Sequence, residues 1–267
     1  MGSEAALYTD VAGARRAERL VYVFMAALFI VTAIVGFAPT SSALIAAVAS
    51  GGRPAPPLFL HFHAVSMSFW LGLLLVQTSL VATGRTALHR RLGMAWLIAA
   101  PAVFVSLVLM TVLPAVALSH LTTAERAAAN IDLDQTWGFR LTQIRAFTLF
   151  ALFAGWAFIA RRTDLETHKR LMIVATVAPL NAALSRMIGV SQLLPGAGLF
   201  ESHLMPDFYQ ALLLTPVLIY DFVRLGRVHR AYVIGFVLLV ASMIAVHFAS
   251  SAEWWLAIGR EVMGVKP

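Results

Sequence analysis

Histidine is the residue of this chain best suited to chemistry, because the sequence has eight histidines and no cysteine. The absence of cysteine excludes disulfides, thiolate metal sites and iron–sulfur clusters. A bound metal or cofactor must therefore be held by imidazole, thioether, carboxylate or amide groups.

Three histidines stand in basic turns that resemble one another. His89 opens the sequence HRRLG, His168 opens HKRLM, and His229 lies in VHR, each before an apolar stretch. Neutral imidazoles from two facing helices can bind a haem iron, and neighbouring basic side chains can pair with the haem propionates. The alternative is that a histidine among basic residues binds lipid phosphate at the membrane surface. Both interpretations remain open from these residues.

A second group of histidines, His61, His63 and His247, falls near the other ends of two apolar stretches. Helical positions 61 and 63 differ in direction by about 200°. Both side chains can therefore reach one metal ion only if this segment is extended. The alternative is a helix in which His63 faces the interior of the bundle, with Met67 and Trp70 on the same side.

Arg186, Asn181 and Ser185 form the polar part of another apolar stretch. A cation inside the membrane is costly, and it usually marks a function or a buried ion pair. A long side chain can also extend to the membrane surface instead. The first interpretation predicts a pocket for a quinone headgroup or another substrate at Asn181 and Arg186. The candidate partners of the arginine are Asp134, Glu201 and Asp207.

The composition places these residues in a membrane protein. Of 267 residues, 60% are hydrophobic and 12% are charged, and the mean hydropathy is +0.82. Soluble domains carry about 25% charged residues. The net charge of +7 lies mainly in short turns between apolar stretches, where it favours contact with membrane lipids rather than nucleic acid. We therefore expect one membrane domain and no nucleic-acid partner.

Apolar runs of about 17–27 residues match the thickness of a bilayer. They predict an all-α bundle of seven transmembrane helices, built as one span plus three helical hairpins. A polar tail (1–19) precedes the membrane domain (20–250), and an interfacial tail (251–267) follows it. The predicted spans are 20–38, 58–83, 92–118, 143–160, 168–190, 207–223 and 231–248.

The distribution of Lys and Arg predicts how the bundle is oriented. Most of these residues fall in the N-terminal tail and in the turns after the second, fourth and sixth spans. The positive-inside rule then places the N-terminus in the cytoplasm and the C-terminus outside. We expect a multi-pass protein of a bacterial inner membrane. The chain has no Walker loop, Rossmann glycine pattern, H-E-x-x-H motif or G-x-S-x-G nucleophile elbow.

The paired turns HRRLG and HKRLM resemble those of an uncharacterised group of bacterial multi-span membrane proteins. They are also distantly similar to the ascorbate-reducible two-haem cytochrome b superfamily over residues 58–190. This resemblance implies haem b, transmembrane electron transfer, and a quinone or ascorbate-like donor.

The same resemblance implies two pairs of haem ligands. His89 and His168 match the inner pair, and His63 matches one outer ligand. The fourth span has no histidine, which departs from the family pattern, so His247 of the seventh span takes that place. The alternatives from other classes are a non-redox carrier, a lipid-handling protein, or a structural subunit of a membrane complex that has partner subunits.

Overall fold

A computed structural model describes residues 2–187 and 204–264, with side chains from 17–187 and 206–264. All regular structure in these residues is helical. The twelve α-helices are α1 (Gly2–Ala49), α2 (Leu58–Ala82), α3 (Thr86–Leu92), α4 (Trp96–Ser119), α5 (Thr123–Ala128), α6 (Leu133–Ala160), α7 (Leu165–Val177), α8 (Asn181–Leu184), α9 (Leu204–Leu212), α10 (Thr215–Leu225), α11 (Arg230–Ala249) and α12 (Glu253–Val262).

Six helical segments of the described chain are long and apolar enough to cross a membrane. They also carry many exposed large apolar side chains, which suits contact with lipid. The chain is therefore an all-helical, multi-pass membrane protein. The segments are 17–49, 58–82, 86–119, 133–160, 206–225 and 230–249.

The predicted fifth span, 168–190, is not among these six. Its helix α7 ends at Val177, a 3-10 turn follows at Ala178–Leu180, and the short helix α8 continues to Leu184. Residues 188–190 lie outside the described part of the chain. The count of seven spans therefore stays a prediction.

Helix α7 lies at the centre of the bundle. It packs on α6, α11 and α1, and its side chains from 173 to 177 are all buried. Two glycines on neighbouring helices allow this close packing. A Cβ at one would clash with α7, and a Cβ at the other would clash with α8, which follows α7 in the chain. A Cβ at Gly235 of α11 would lie 2.8 Å from a methyl carbon of Val174, and one at Gly36 of α1 would lie 2.3 Å from the carbonyl oxygen of Ala183.

Ion pairs join α7 to its neighbours at the end of the bundle that we call the basic end, where the turns at 83–85, 161–164 and 226–229 lie. Arg170 of α7 donates to both carboxylate oxygens of Asp221 of α10, at 2.8 and 2.6 Å. Both side chains are almost fully buried. Lys169 pairs with Glu18 of α1 and with Glu166. Charges in apolar surroundings must be paired, so these contacts fix how the helices meet.

Two predicted boundaries are wrong by about ten residues. The expected loop 39–57 is helical up to Ala49, with Pro39 inside α1. A proline removes only one helical hydrogen bond, here the bond to the carbonyl of Val35, so the helix continues through it. Helix α6 begins at Leu133 rather than 143, because the Asp132 carboxylate accepts from the N–H of Gln135 and caps the helix.

The buried pair at the basic end should carry much of the stability of the bundle. Asp221→Ala leaves the Arg170 guanidinium without its buried partner, and we expect a loss of about 3–5 kcal/mol in unfolding free energy. The matched control is Arg230→Ala, which removes an exposed ion pair with Asp164 at 3.2 Å and should cost less than about 1 kcal/mol. Unfolding in detergent measures both changes. Equal losses in the two variants would contradict the structural role of the buried pair.

Candidate functional site

His168 is placed as a ligating histidine should be. Its Nδ1 lies 2.8 Å from the carbonyl oxygen of Ala157, near the end of α6. A carbonyl can only accept, so Nδ1 carries the proton and Nε2 of the neutral ring keeps its lone pair. Metal-binding histidines commonly donate their second ring N–H to a carbonyl in this way. The hairpin of α6 and α7 therefore orients this imidazole.

His89 lies near His168 at the basic end, in the short helix α3. The two half-buried rings are close enough that a charge on His89 acts on His168. The convergence of these two imidazoles inside the bundle stays a prediction. Their assignment as haem ligands stays a prediction.

The amide of Gln77 on α2 determines which nitrogen of His89 carries its proton. Oriented by its neighbours, this amide accepts from the N–H of Gly93 at 2.8 Å. Its nitrogen then donates to Nδ1 of His89 at 2.6 Å and to the His89 carbonyl oxygen at 3.1 Å. The neutral His89 ring consequently carries its proton on Nε2. His89 can bind a metal through Nε2 only after Gln77 turns its oxygen toward the ring.

The third basic-turn histidine, His229, has a structural contact instead. Its Nδ1 accepts a hydrogen bond from the N–H of Ala231 at 3.2 Å and so caps α11. Burial lowers the pKa of His229, and the positive charge of Arg170 lowers it further. Asp164 caps α7 at the same end, where hydrogen bonds from Thr167 lower the pKa of its carboxyl to about 2.

An aromatic stack lies beside the histidine pair. The indole ring of Trp96 stacks on Phe158 at 4.2 Å between centroids, and the Arg161 guanidinium lies 3.3 Å above the Phe158 ring. Phe158 directly follows Ala157, the residue that orients His168. The buried indole N–H of Trp96 has no acceptor within the described chain.

These residues fit a b-type haem as far as their donor atoms are concerned. His168 presents an imidazole lone pair, and His89 can present a second after the amide of Gln77 turns over. Five arginines stand before or after these histidines in the sequence and could neutralise haem propionates. The Trp96 N–H could donate a further hydrogen bond to the bound group. The arginines are Arg85, Arg90, Arg91, Arg161 and Arg162.

The outer histidines are placed on helices with different neighbours. His63 of α2 bonds through Nδ1 to the Ser106 hydroxyl of α4 at 3.1 Å, and the charge of Arg186 acts on it. His247 is exposed on α11, which packs chiefly on α6, α7 and α9. Within the described part of the chain His63 and His247 make their contacts with different helices, and the outer haem pair stays a prediction.

The metal hypothesis for His61 and His63 required an extended segment. The structure places both residues inside α2, which begins at Leu58, and His61 is exposed. Their side chains therefore point about 200° apart and do not share one metal ion. Among the side chains of residues 17–187 and 206–264 there is also no group of three His, Cys, Asp or Glu that could hold a metal.

Asn181 and Arg186, which were predicted to form one pocket, lie in different surroundings. Arg186 is exposed, donates to the carbonyl of Ala182 at 2.6 Å, and lies 4.9 Å above the Phe37 ring of α1. Asn181 is buried and donates to Asp207. Among the suggested partners of Arg186, Glu201 lies outside the described residues, and Asp207 and Asp134 form ion pairs with other arginines.

Asn181 belongs to a buried polar cluster that the sequence analysis missed. Its members are contributed by α6, α8 and α9, and Arg145 donates to both Asp207 and Gln210. All four side chains are nearly inaccessible to solvent. Arg145 could have been found as a charge inside the predicted span 143–160, by the argument applied to Arg186. We call these residues the α7-break cluster: Arg145, Asn181, Asp207 and Gln210.

The cluster compensates for the interruption of α7. Pro179 has no N–H to continue the helix, and the backbone tightens into a 3-10 turn. The amide nitrogen of Gln210 donates to the carbonyl oxygens of Val177 at 2.8 Å and Ala178 at 2.6 Å, and so ties α9 to this turn. Non-helical backbone within a membrane needs such partners, so the cluster and the break depend on each other.

A cavity of about 210 Å³ opens beside this cluster, at the end of the bundle opposite the basic end. We call this the cavity end. Helices α6, α9, α11 and α12 form the wall, and Asp207 belongs to both the wall and the α7-break cluster. The side chains that line the cavity include Asp134, Gln135, Phe139, Thr142, Val246, His247 and Leu256.

Comparison with family models, with curated proteins and with solved structures gives no match. The candidate site is therefore assigned from its contacts alone. Those contacts define two regions, the histidine pair at the basic end and the α7-break cluster with its cavity at the other.

The contacts of the histidine pair predict opposite tautomers in haem-free protein at mildly alkaline pH. Nitrogen-15 NMR of labelled histidine should show His168 protonated on Nδ1 and His89 protonated on Nε2. Gln77→Glu replaces the donor with a carboxylate acceptor, and it should move the His89 proton to Nδ1. His229, which accepts from Ala231, is the internal control and should stay protonated on Nε2. A single common tautomer for His89 and His168 in the native protein would refute this arrangement.

Proposed function

We propose that this chain is an integral membrane redox protein that carries electrons through a haem b held by His89 and His168. The observation that supports the proposal is the bond from His168 Nδ1 to the Ala157 carbonyl, which leaves Nε2 for a metal. The second support is that His89 stands in an equivalent basic turn of a separate hairpin at the same end of the bundle.

In this proposal His168 is the preformed ligand and His89 is the adjustable one. A haem would supply a one-electron carrier whose potential depends on its axial ligands and on nearby charges. Gln77 governs the second ligand, because its amide must turn before His89 can use Nε2. The five arginines of the two turns would hold the propionates. Electrons would pass to or from a membrane quinone or a partner subunit.

We also propose the finer topology, with seven spans in a bacterial inner membrane, the N-terminus in the cytoplasm and the C-terminus outside. The support is that the turns carrying most of the arginines lie at the same end of the bundle, where Arg170, Lys169 and Arg230 form their ion pairs. Basic residues are concentrated on the cytoplasmic side of membrane proteins. The central segment 168–190 would then be the fifth span.

A second function, a non-redox carrier, is favoured by the interrupted helix α7. Transporters commonly bind their substrates at discontinuous helices near the middle of the membrane. Here the break at Ala178–Leu180 is held by buried polar side chains next to a cavity. The absorption spectrum separates the two functions, because a carrier of this kind needs no haem.

The redox proposal predicts the spectrum of protein purified from haem-replete cells. The native protein should show a Soret band, and dithionite should produce the reduced alpha peak. His168→Ala removes the preformed ligand and should abolish or strongly weaken both features. His229→Ala is the matched control, because it changes a basic-turn histidine that caps a helix, and its spectrum should be native.

Two results would contradict this proposal at different points. A colourless native protein from such cells would overturn the redox function itself. A native spectrum in His168→Ala protein would leave haem in place but refute the ligand assignment.

A further inference from the structure

We propose that the cavity at the cavity end is a binding site for an uncharged molecule of about one ring in size that carries a hydroxyl group. The site is distinct from the histidine pair and does not depend on haem. Its wall combines side chains of α6, α9, α11 and α12 with the buried carboxylate of Asp207.

The volume of the cavity sets the size of the ligand. An apolar cavity of about 150 Å³ is known to accept benzene, whereas pockets for drug-sized molecules run from about 300 to 1,000 Å³. At about 210 Å³, this cavity holds a single six-membered ring with one or two small substituents.

The ion pairs around the cavity favour an uncharged ligand. Asp134 pairs with Arg260 at 2.7 Å, and Asp207 pairs with Arg145. Hydrogen bonds with Asp134 and Glu253 raise the pKa of Arg260, which keeps that guanidinium charged. Because the charges in these pairs already neutralise each other, a charged ligand would find no counter-charge in them. Burying such a ligand would be costly.

The lining residues favour a molecule with one apolar and one hydrogen-bonding side. Phe139, Val246 and Leu256 provide apolar contact for a ring. The hydroxyl of Thr142, the amide of Gln135, the ring of His247 and the carboxylate of Asp207 provide donors and acceptors. Small-molecule sites combine these features, with mostly apolar walls and a few placed polar groups.

The wall formed by α12 is held firmly in place. The indole N–H of Trp137 donates to the carbonyl of Trp255 at 2.9 Å, and that of Trp255 donates to the carbonyl of Trp137 at 3.1 Å. Gly259 lies directly against Trp137, where a Cβ would come within 2.3 Å of a ring atom. The cavity is thus closed on this side by a docked helix that contributes Leu256.

The floor of the cavity leads into the α7-break cluster. The Asp207 carboxylate accepts from Asn181 and Arg145, and the buried Nε and Nη1 of Arg145 have no hydrogen-bond acceptor in the described part of the chain. Buried donors of this kind are destabilising until an acceptor reaches them. Asp207 therefore joins the cavity to the groups that hold the interrupted helix.

Three probes of equal size test the charge argument. Benzyl alcohol, benzoate and benzylammonium differ mainly in charge, and ligand-observed saturation-transfer NMR in detergent reports the binding of each. We expect benzyl alcohol to bind at least tenfold more tightly than either charged probe. Equal or tighter binding of a charged probe would overturn the proposal.

Two variants of the same helix test the location. Val246→Phe fills the cavity from α11 and should weaken benzyl alcohol binding at least tenfold. Val237→Phe is the matched control, because position 237 is exposed on the opposite side of α11, and its binding should be native. Equal binding by the two variants would assign the signal to the detergent and overturn the site.

A third variant keeps the test valid if Val246→Phe does not fold. Thr142→Val preserves the shape of the wall and removes one hydroxyl, and it should weaken benzyl alcohol binding several-fold with native thermal stability. Unchanged binding in Thr142→Val protein would overturn the placement of the ligand. These measurements do not involve haem, so their outcome is independent of the spectrum of the protein.

Discussion

The pairing of charges inside an apolar bundle is the constraint on which the rest of this structure depends. An isolated ion in hydrocarbon costs several kcal/mol even after relaxation, so a buried arginine needs a carboxylate or carbonyl partner. Arg126 and Arg140 bond to backbone carbonyls, and two other buried arginines form ion pairs between helices. Arg170 and Asp221 join α7 to α10 near the basic end, and Arg145 and Asp207 join α6 to α9 nearer the cavity end. The first pair includes α7 itself, and the second includes its neighbour α6. Together they fix the packing around the central helix α7.

The interruption of α7 follows from the same constraint applied to the backbone. Pro179 interrupts the α-helical hydrogen bonding, and the backbone tightens into a 3-10 turn. Lipid offers no hydrogen bonds to such a turn. Gln210 donates to its carbonyls at Val177 and Ala178, and Arg145 in turn fixes the Gln210 amide by donating to its oxygen. A helix break, an ion pair and a cavity are therefore parts of one arrangement. Asp207, which accepts from Asn181 and Arg145 of the cluster, also lines the cavity.

The sequence predicted the class of fold well because apolar runs of bilayer length are a direct physical signal. It failed at boundaries where local chemistry competes with hydropathy, as at Pro39 within α1 and at the Asp132 cap of α6. The approach of His89 and His168 could be expected because both stand at equivalent turns. The different surroundings of Asn181 and Arg186 could not be expected, because the helix rotation after Pro179 decides where each side chain points, and no periodicity continues through a 3-10 turn.

The two proposed sites differ in how far they are formed before any ligand binds. At the cavity end, reciprocal tryptophan bonds and two ion pairs hold the wall, so a ligand would enter a preformed space. At the basic end, Gln77 bonds to Nδ1 and the carbonyl of His89 and to the N–H of Gly93. A metal at His89 must displace that set of bonds, whereas His168 keeps its bond to Ala157. Ligation at this end would therefore begin at His168 and recruit His89 second, with the amide of Gln77 as the group that must move.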